Sequence, residues 1–170
     1  MEVIMKLKYI TLLPAVIVMV VIFLFSSKPA ENSNESSLEI ADKILTAYEN
    51  VTSSNISGET RLEALERINH IVRKGAHFSI YVLLAWTFAF HFLMLKKKGN
   101  PLLFAPVLLS ALYAATDEFH QLFVPGRGGM FTDVLIDTSG AAAGSLLFTA
   151  VVMFCAHYRK KHGKTVTLPE

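Results

Sequence analysis

The sequence predicts an all-α fold: a polytopic four-helix transmembrane bundle with amphipathic helices in the first extracytoplasmic loop. Three observations point there. Hydrophobic residues make up 52% of the chain and charged ones only 18%, more apolar and less charged than a typical soluble domain. The apolar residues gather in four runs, each able to cross a ~30 Å hydrocarbon core with modest mismatch for the shortest. The basic residues of the short connections fall in flanks next to those runs. A chain of this length fits one membrane domain over residues 1–170.

The first run covers residues 9–25, behind Lys6 and Lys8. Its apolar stretch is long for a cleaved signal, and Leu24 and Phe25 stand where a cleavage site needs small residues, so a retained helix is expected. The loop from 28 to 74 follows. Ser36-x-x-Glu39 and Thr60-x-x-Glu63 read as capping boxes that start helices. Leu38, Ala41, Leu45 and Tyr48 share one helical face, and Leu62, Leu65 and Ile68 another. Two amphipathic helices separated by a break at residues 52–58 are expected, packed on the bundle or covering its mouth.

The remaining spans are placed at 77–95, 101–119 and 134–156. Lys96 to Lys98 lie between the second and third spans, and Arg159, Lys160, Lys161 and Lys164 follow the fourth. With Lys6 and Lys8 these flanks fall on one side, so both ends are expected in the cytoplasm. They are topology signals rather than a nucleic-acid stripe, and no nucleic-acid partner is expected. Cys155 is the only cysteine, which excludes an internal disulfide.

Polar residues that lipid penalises unless they pair, line water or bind something are the place to look for function. On the second span Lys74, His77 and Tyr81 share a face by spacings of three and four. On the third Asp117, His120 and Gln121 do the same, with Glu118 off to one side. On the fourth Asp133, Asp137, Gly140 and Gly144 form one stripe. All three patches are expected at the outer ends of their helices, with Pro125-Gly126-Arg127 between two of them, around one shared pocket.

Duller roles exist for each. Asp133 or Thr132 can cap the fourth span. Gly140-x-x-x-Gly144 ordinarily means close helix packing. His91 reads as a hydrogen-bonded packing residue, and Asp117 with Lys74, or Asp133 with Arg127, as structural ion pairs.

Chemically, Lys74, His77, Arg127 and the N–H groups of the glycine-rich turn suit a phosphate or carboxylate. Asp117, Glu118 and His120 are the acid–base candidates. No metal ligand set is assigned, because His-Glu-x-x-His is missing. A Ser-His-Asp relay lacks a serine in a nucleophile turn.

These residues resemble the signature of the VanZ-like family of small bacterial membrane proteins. It is carried by Lys74-Gly75-Ala76-His77-Phe78 with Tyr81, Thr116-Asp117-Glu118-Phe119-His120-Gln121, Pro125-Gly126-Arg127, and Asp133 with Gly140 and Gly144; the Phe25-Ser26-Ser27 exit of the first span is similar too. One position departs: the family usually has Asn where this chain has Asp137. The resemblance implies the bacterial cytoplasmic membrane and a part in low-level resistance to teicoplanin, a lipidated glycopeptide; it supplies no biochemical activity and no cofactor. Some relatives carry a phosphotransbutyrylase label, which nothing in these residues supports.

The expected partners are membrane lipids, with an anionic lipid headgroup, a polyprenyl-linked wall intermediate or the lipoglycopeptide as ligand. The expected ligand-binding residues are Lys74, His77, Tyr81, Gln121, Arg127, Asp133 and Asp137. Two other classes stay open: an intramembrane acid–base or metal-assisted enzyme acting on a headgroup, and a structural or assembly protein.

Overall fold

A computed structural model describes residues 9–162, apart from the side chains of Asn32 and His162. The flanks Lys6, Lys8 and Lys164 lie outside the described residues. Those residues form five helices and no strand: α1 Leu13–Ser26, α2 Ala30–Thr52, α3 Glu59–Met94, α4 Asn100–Gln121 and α5 Phe131–His162. The helices α3, α4 and α5 are each long and apolar enough to cross a membrane, while α1, at 14 residues, is a shorter apolar helix.

Helix α3 packs on every other helix. Its neighbour α5 runs parallel to it, with facing residues advancing together along both helices. Lys74 meets Asp133, His77 meets Asp137, and the rings of Trp86 and Phe148 pack edge to face at 5.7 Å. Two glycines permit the approach. A Cβ on Gly140 would stand 2.3 Å from the Phe78 carbonyl oxygen, and one on Gly144 2.5 Å from that of Val82. The Gly-x-x-x-Gly stripe is thus close helix packing, as its spacing predicts.

Helix α4 runs the other way, with Ser145 Oγ donating to Leu103 O at 2.6 Å near one end and Met130 N donating to Glu118 Oε2 at 2.9 Å near the other. Helix α1 lies parallel to α4. Tyr113 OH donates to Met19 O at 2.6 Å, and Thr11 Oγ1 meets His91 Nδ1 at 2.9 Å, the packing role expected of His91. The core between them holds Ala15, Val18, Ile22, Tyr81, Leu84, Phe88 and Ala114.

Outward faces are apolar: Ile17, Leu24, Phe104, Leu112, Leu146 and Phe154 are all exposed. Helices with apolar residues both inside and outside suit lipid rather than water.

The loop differs from expectation in two ways. Helix α2 begins at Ala30 behind Pro29, so Ser36 lies inside it rather than at its N-cap. The second loop helix is not separate: α3 runs unbroken from Glu59 to Met94, about 54 Å at ~1.5 Å per residue. The polar residues near Lys74 end the apolar run without ending the helix, because backbone hydrogen bonding is indifferent to that change. Thr60 sits just inside α3, and Gly58 takes the cap position without a side-chain bond.

Helix α2 folds back antiparallel on the projecting half of α3, where Asn69 Nδ2 donates to Asn34 Oδ1 at 2.7 Å and Arg61 pairs with Asp42 at 2.7 Å. Ala41 and Leu45 are buried there, while Tyr48, expected on the same face, is exposed.

The glycine contact yields a prediction. Gly140→Ala loses ~1–3 kcal/mol of stability or more, because the clash is with backbone that cannot turn aside. Gly75→Ala, with nothing within 4 Å of its Cβ, leaves stability unchanged or higher. Thermal unfolding of the two purified variants in detergent compares them directly.

Candidate functional site

The helix directions bring one polar end together: the exit of α1, the middle of α3, the end of α4 and the start of α5. The connection from α4 to α5 begins with Val124-Pro125-Gly126-Arg127, in which Arg127 N donates to Val124 O at 3.1 Å. Gly126 has φ +73°. Pro then Gly at the two central positions, the second with positive φ, is the pattern of a type II turn.

This turn aims Arg127 back across the bundle. Its Nε donates to Lys28 O at 2.8 Å and its Nη2 to Phe25 O at 3.2 Å and to Ser33 Oγ, while Nη1 reaches Gln121 Oε1 at 3.4 Å. Arg127 therefore staples the α4–α5 turn to the end of α1 and the start of α2. All four partners are neutral, so its charge has no contact counter-ion among the described residues. Burial pushes its pKa down from the usual value and the neighbouring charge of Arg73 adds to this, against the pull of Asp117 and Glu118. An arginine stays protonated through such a shift.

Asp117 and His120 hold α1 in place. Ser26 Oγ donates to Asp117 Oδ1 at 2.6 Å, and Ser27 Oγ lies 3.2 Å from His120 Nε2, whose ring packs against Phe23 at 4.7 Å. Gln121 Nε2 donates to Asp117 Oδ2 at 3.1 Å and to Glu118 Oε1 at 3.2 Å. With Arg127 on its oxygen, Gln121 is committed inside the protein and joins the three charged groups.

On the α5 side Lys74 Nζ and Asp133 Oδ1 form a short ion pair, and both are largely buried. The two ion pairs suggested by the sequence, Asp117 with Lys74 and Asp133 with Arg127, are replaced by this one, because the parallel register of α3 and α5 sets residue 74 against 133. One turn deeper, His77 Nδ1 lies 3.4 Å from Asp137 Oδ1. Glu118 is buried rather than set aside: α4 packs on α1 by one face and on α5 by another, so neighbours 100° apart are both enclosed. His77, Glu118 and Asp137 offer ligand atoms all within 4.8 Å of one another.

A cavity of about 400 Å³ lies between α1, α2 and α3. Its wall is apolar at Ile22, Ile40, Val72 and Ile80. Lys28, Arg73 and Arg127 bring charge, and His77, Tyr81 and Asp117 bring polar groups beneath. Of the expected ligand-binding residues, His77, Tyr81 and Arg127 line this cavity, while Lys74, Gln121 and Asp133 are bonded behind it and Asp137 is buried there.

Sequence reasoning missed Arg73, which lines the cavity and makes no hydrogen bond or ion pair among the described residues. Its neighbour Lys74 drew attention through the motif spacing, whereas the face of Arg73 is defined only by the packing of α2. A larger depression of about 650 Å³ runs along α4 alone, from Asn100 to Ala111, and is an apolar surface groove without polar chemistry.

The chain belongs to the VanZ/LLP1 family, whose model matches residues 11–154. Neither a curated protein nor a solved structure matches it. The matched region spans α1 to most of α5 and includes every polar group described above.

The Lys74–Asp133 pair can be tested by a double-mutant cycle. Lys74→Met strands the Asp133 carboxylate and costs about 1–3 kcal/mol, less than a fully buried pair because both groups keep some solvent. Lys74→Met with Asp133→Leu recovers at least half of that loss in mixed-micelle unfolding.

Proposed function

We propose that this VanZ/LLP1-family chain is a bacterial cytoplasmic-membrane protein that binds an anionic lipid headgroup in the cavity between α1, α2 and α3. In this reading residues 1–170 form one domain, and α1, α3, α4 and α5 cross the membrane as a four-helix bundle. The alternation of the four helices supports this. So does the placing of Lys96–Lys98 and Arg159–Lys161 at the end opposite the polar cluster, which puts both chain ends in the cytoplasm. The α2 hairpin then lies on the outer surface. Its exposed Ile40, Ile44, Tyr48 and Val51, spaced by four, four and three residues, suit the headgroup boundary.

One observation carries the ligand class. Lys28, Arg73 and Arg127 border a single apolar-walled cavity, and none of them has a carboxylate at ion-pair distance among the described residues. Repelling cations held at the mouth of an apolar cleft favour an anion with an apolar tail. A phospholipid, a polyprenyl-linked wall intermediate and a lipidated glycopeptide share enough of that chemistry to be candidates, the last through a contribution to teicoplanin resistance. The acid–base alternative draws less support, since Asp117 and His120 are bonded to Ser26 and Ser27 of α1, and Glu118 to Gln121 and the Met130 N–H.

Two measurements test this reading. Wild type purified from membranes retains anionic lipid by native mass spectrometry, and Arg73→Gln weakens that retention about tenfold or more, the value of one charge-assisted hydrogen bond. Arg73 is the informative position because it staples nothing. Equal retention by the variant, or no bound anionic lipid in wild type, defeats the assignment. Separately, single cysteines at Lys97 and Lys160 in a Cys155→Ser background label only from the cytoplasmic face, and one at Val51 only from outside.

A further inference from the structure

Asp137 lies at 0% exposure, and neither of its carboxylate oxygens has a hydrogen-bond partner among the described residues. Its approach to His77 Nδ1, at 3.4 Å, is an ion-pair contact rather than a formed hydrogen bond. A buried carboxylate left this way is costly, so it takes up a proton or a cation.

Its surroundings do not supply enough positive charge. Lys74 is committed to Asp133. Asp117 and Glu118 are buried carboxylates on the neighbouring helix. Tyr81 beside them is 1% exposed, with its hydroxyl also unpartnered among the described residues. Asp137 thus has two further buried carboxylates near it, and the half-buried His77 imidazole is the basic group in contact with it.

We propose that His77, Glu118 and Asp137 bind a divalent transition-metal cation such as Zn²⁺ or Mn²⁺. The three ligands come from three helices, α3, α4 and α5, and converge within 4.8 Å. Two ligands each ~2.1 Å from a tetrahedral ion stand ~3.4 Å apart, the separation already seen between His77 and Asp137.

One imidazole with two carboxylates is a donor set suited to Zn²⁺ and Mn²⁺, and less to the all-oxygen preference of Mg²⁺ or Ca²⁺. Support around the ligands is present too. Glu118 accepts from Gln121 Nε2 and from Met130 N, which fixes its carboxylate as ligating carboxylates usually are. Three protein ligands leave a position open, and His77 and Tyr81 line the cavity on that side. The site is independent of the headgroup reading.

The test uses full-length protein in detergent, stripped with a chelator, dialysed against Zn²⁺ or Mn²⁺ and measured by elemental mass spectrometry. Wild type takes up one ion per chain and gains in Tm. The isosteric variants Asp137→Asn and Glu118→Gln each lose at least about tenfold in affinity. His120→Ala and Arg73→Gln keep full occupancy, which separates this result from failure of lipid binding. Stoichiometric uptake of one ion and not the other identifies the metal. Wild type that binds no stoichiometric ion, or binds it without a rise in Tm, overturns the proposal, as does uptake that both isosteric variants leave intact. If either variant fails to fold, the other and the wild-type Tm response decide.

Discussion

Two glycines of α5 let its backbone lie against the carbonyls of Phe78 and Val82, and that contact sets the register of the whole polar end. With α3 and α5 parallel and close, residues 74 and 133 face each other, and so do 77 and 137. A larger side chain at residue 140 or 144 would part the helices and separate both pairs. Small residues at a helix interface are ordinarily discussed as a source of packing energy. Here their greater effect is positional, since the charged groups they align sit where an unpaired charge is expensive.

The opposite flank is closed by hydrogen bonds rather than by shape. Helix α1 is short and is held at its exit by Ser26 on Asp117 and Ser27 on His120. Arg127 draws in the carbonyls of Phe25 and Lys28 and the hydroxyl of Ser33. Those carbonyls lie at and just beyond the end of α1, where a helix leaves acceptors without internal partners, so the guanidinium satisfies backbone that lipid could not. One residue thereby ties together the end of α1, the start of α2 and the α4–α5 turn.

Much of this was legible in the sequence, and the failures share a cause. Spacings of three and four placed 74, 77 and 81 on one face, and 133, 137, 140 and 144 on another, because helical periodicity is a local property. The Pro125-Gly126 pair marked the turn for the same reason. What depended on which helix packs on which face was not legible. Spacing puts Glu118, one of the acid–base candidates, off the face shared by Asp117, His120 and Gln121, and only the packing of α4 on two sides shows that it too is enclosed. Arg73 was passed over because only the fold-back of α2 makes its side of α3 a cavity wall. The Ser36 capping box misleads because α2 starts behind Pro29, seven residues before the cap that the local signal marks. The end of the apolar run near 77 was taken for the end of a helix, although hydropathy and helicity part company wherever a helix leaves the membrane.

The charges of the site lie in layers. Lys28, Arg73 and Arg127 border the cavity with Asp117 beneath them, whereas Glu118 and Asp137 lie behind it beside His77. In a medium of low dielectric such a separation is unstable unless each layer is neutralised in place, since neither can be screened by distant ions. Among the described residues Arg127 bonds only neutral acceptors, and neither oxygen of Asp137 has a hydrogen-bond partner beyond its 3.4 Å contact with His77, so both layers are only partly compensated. An anion at the mouth and a cation behind it would remove both excesses at once.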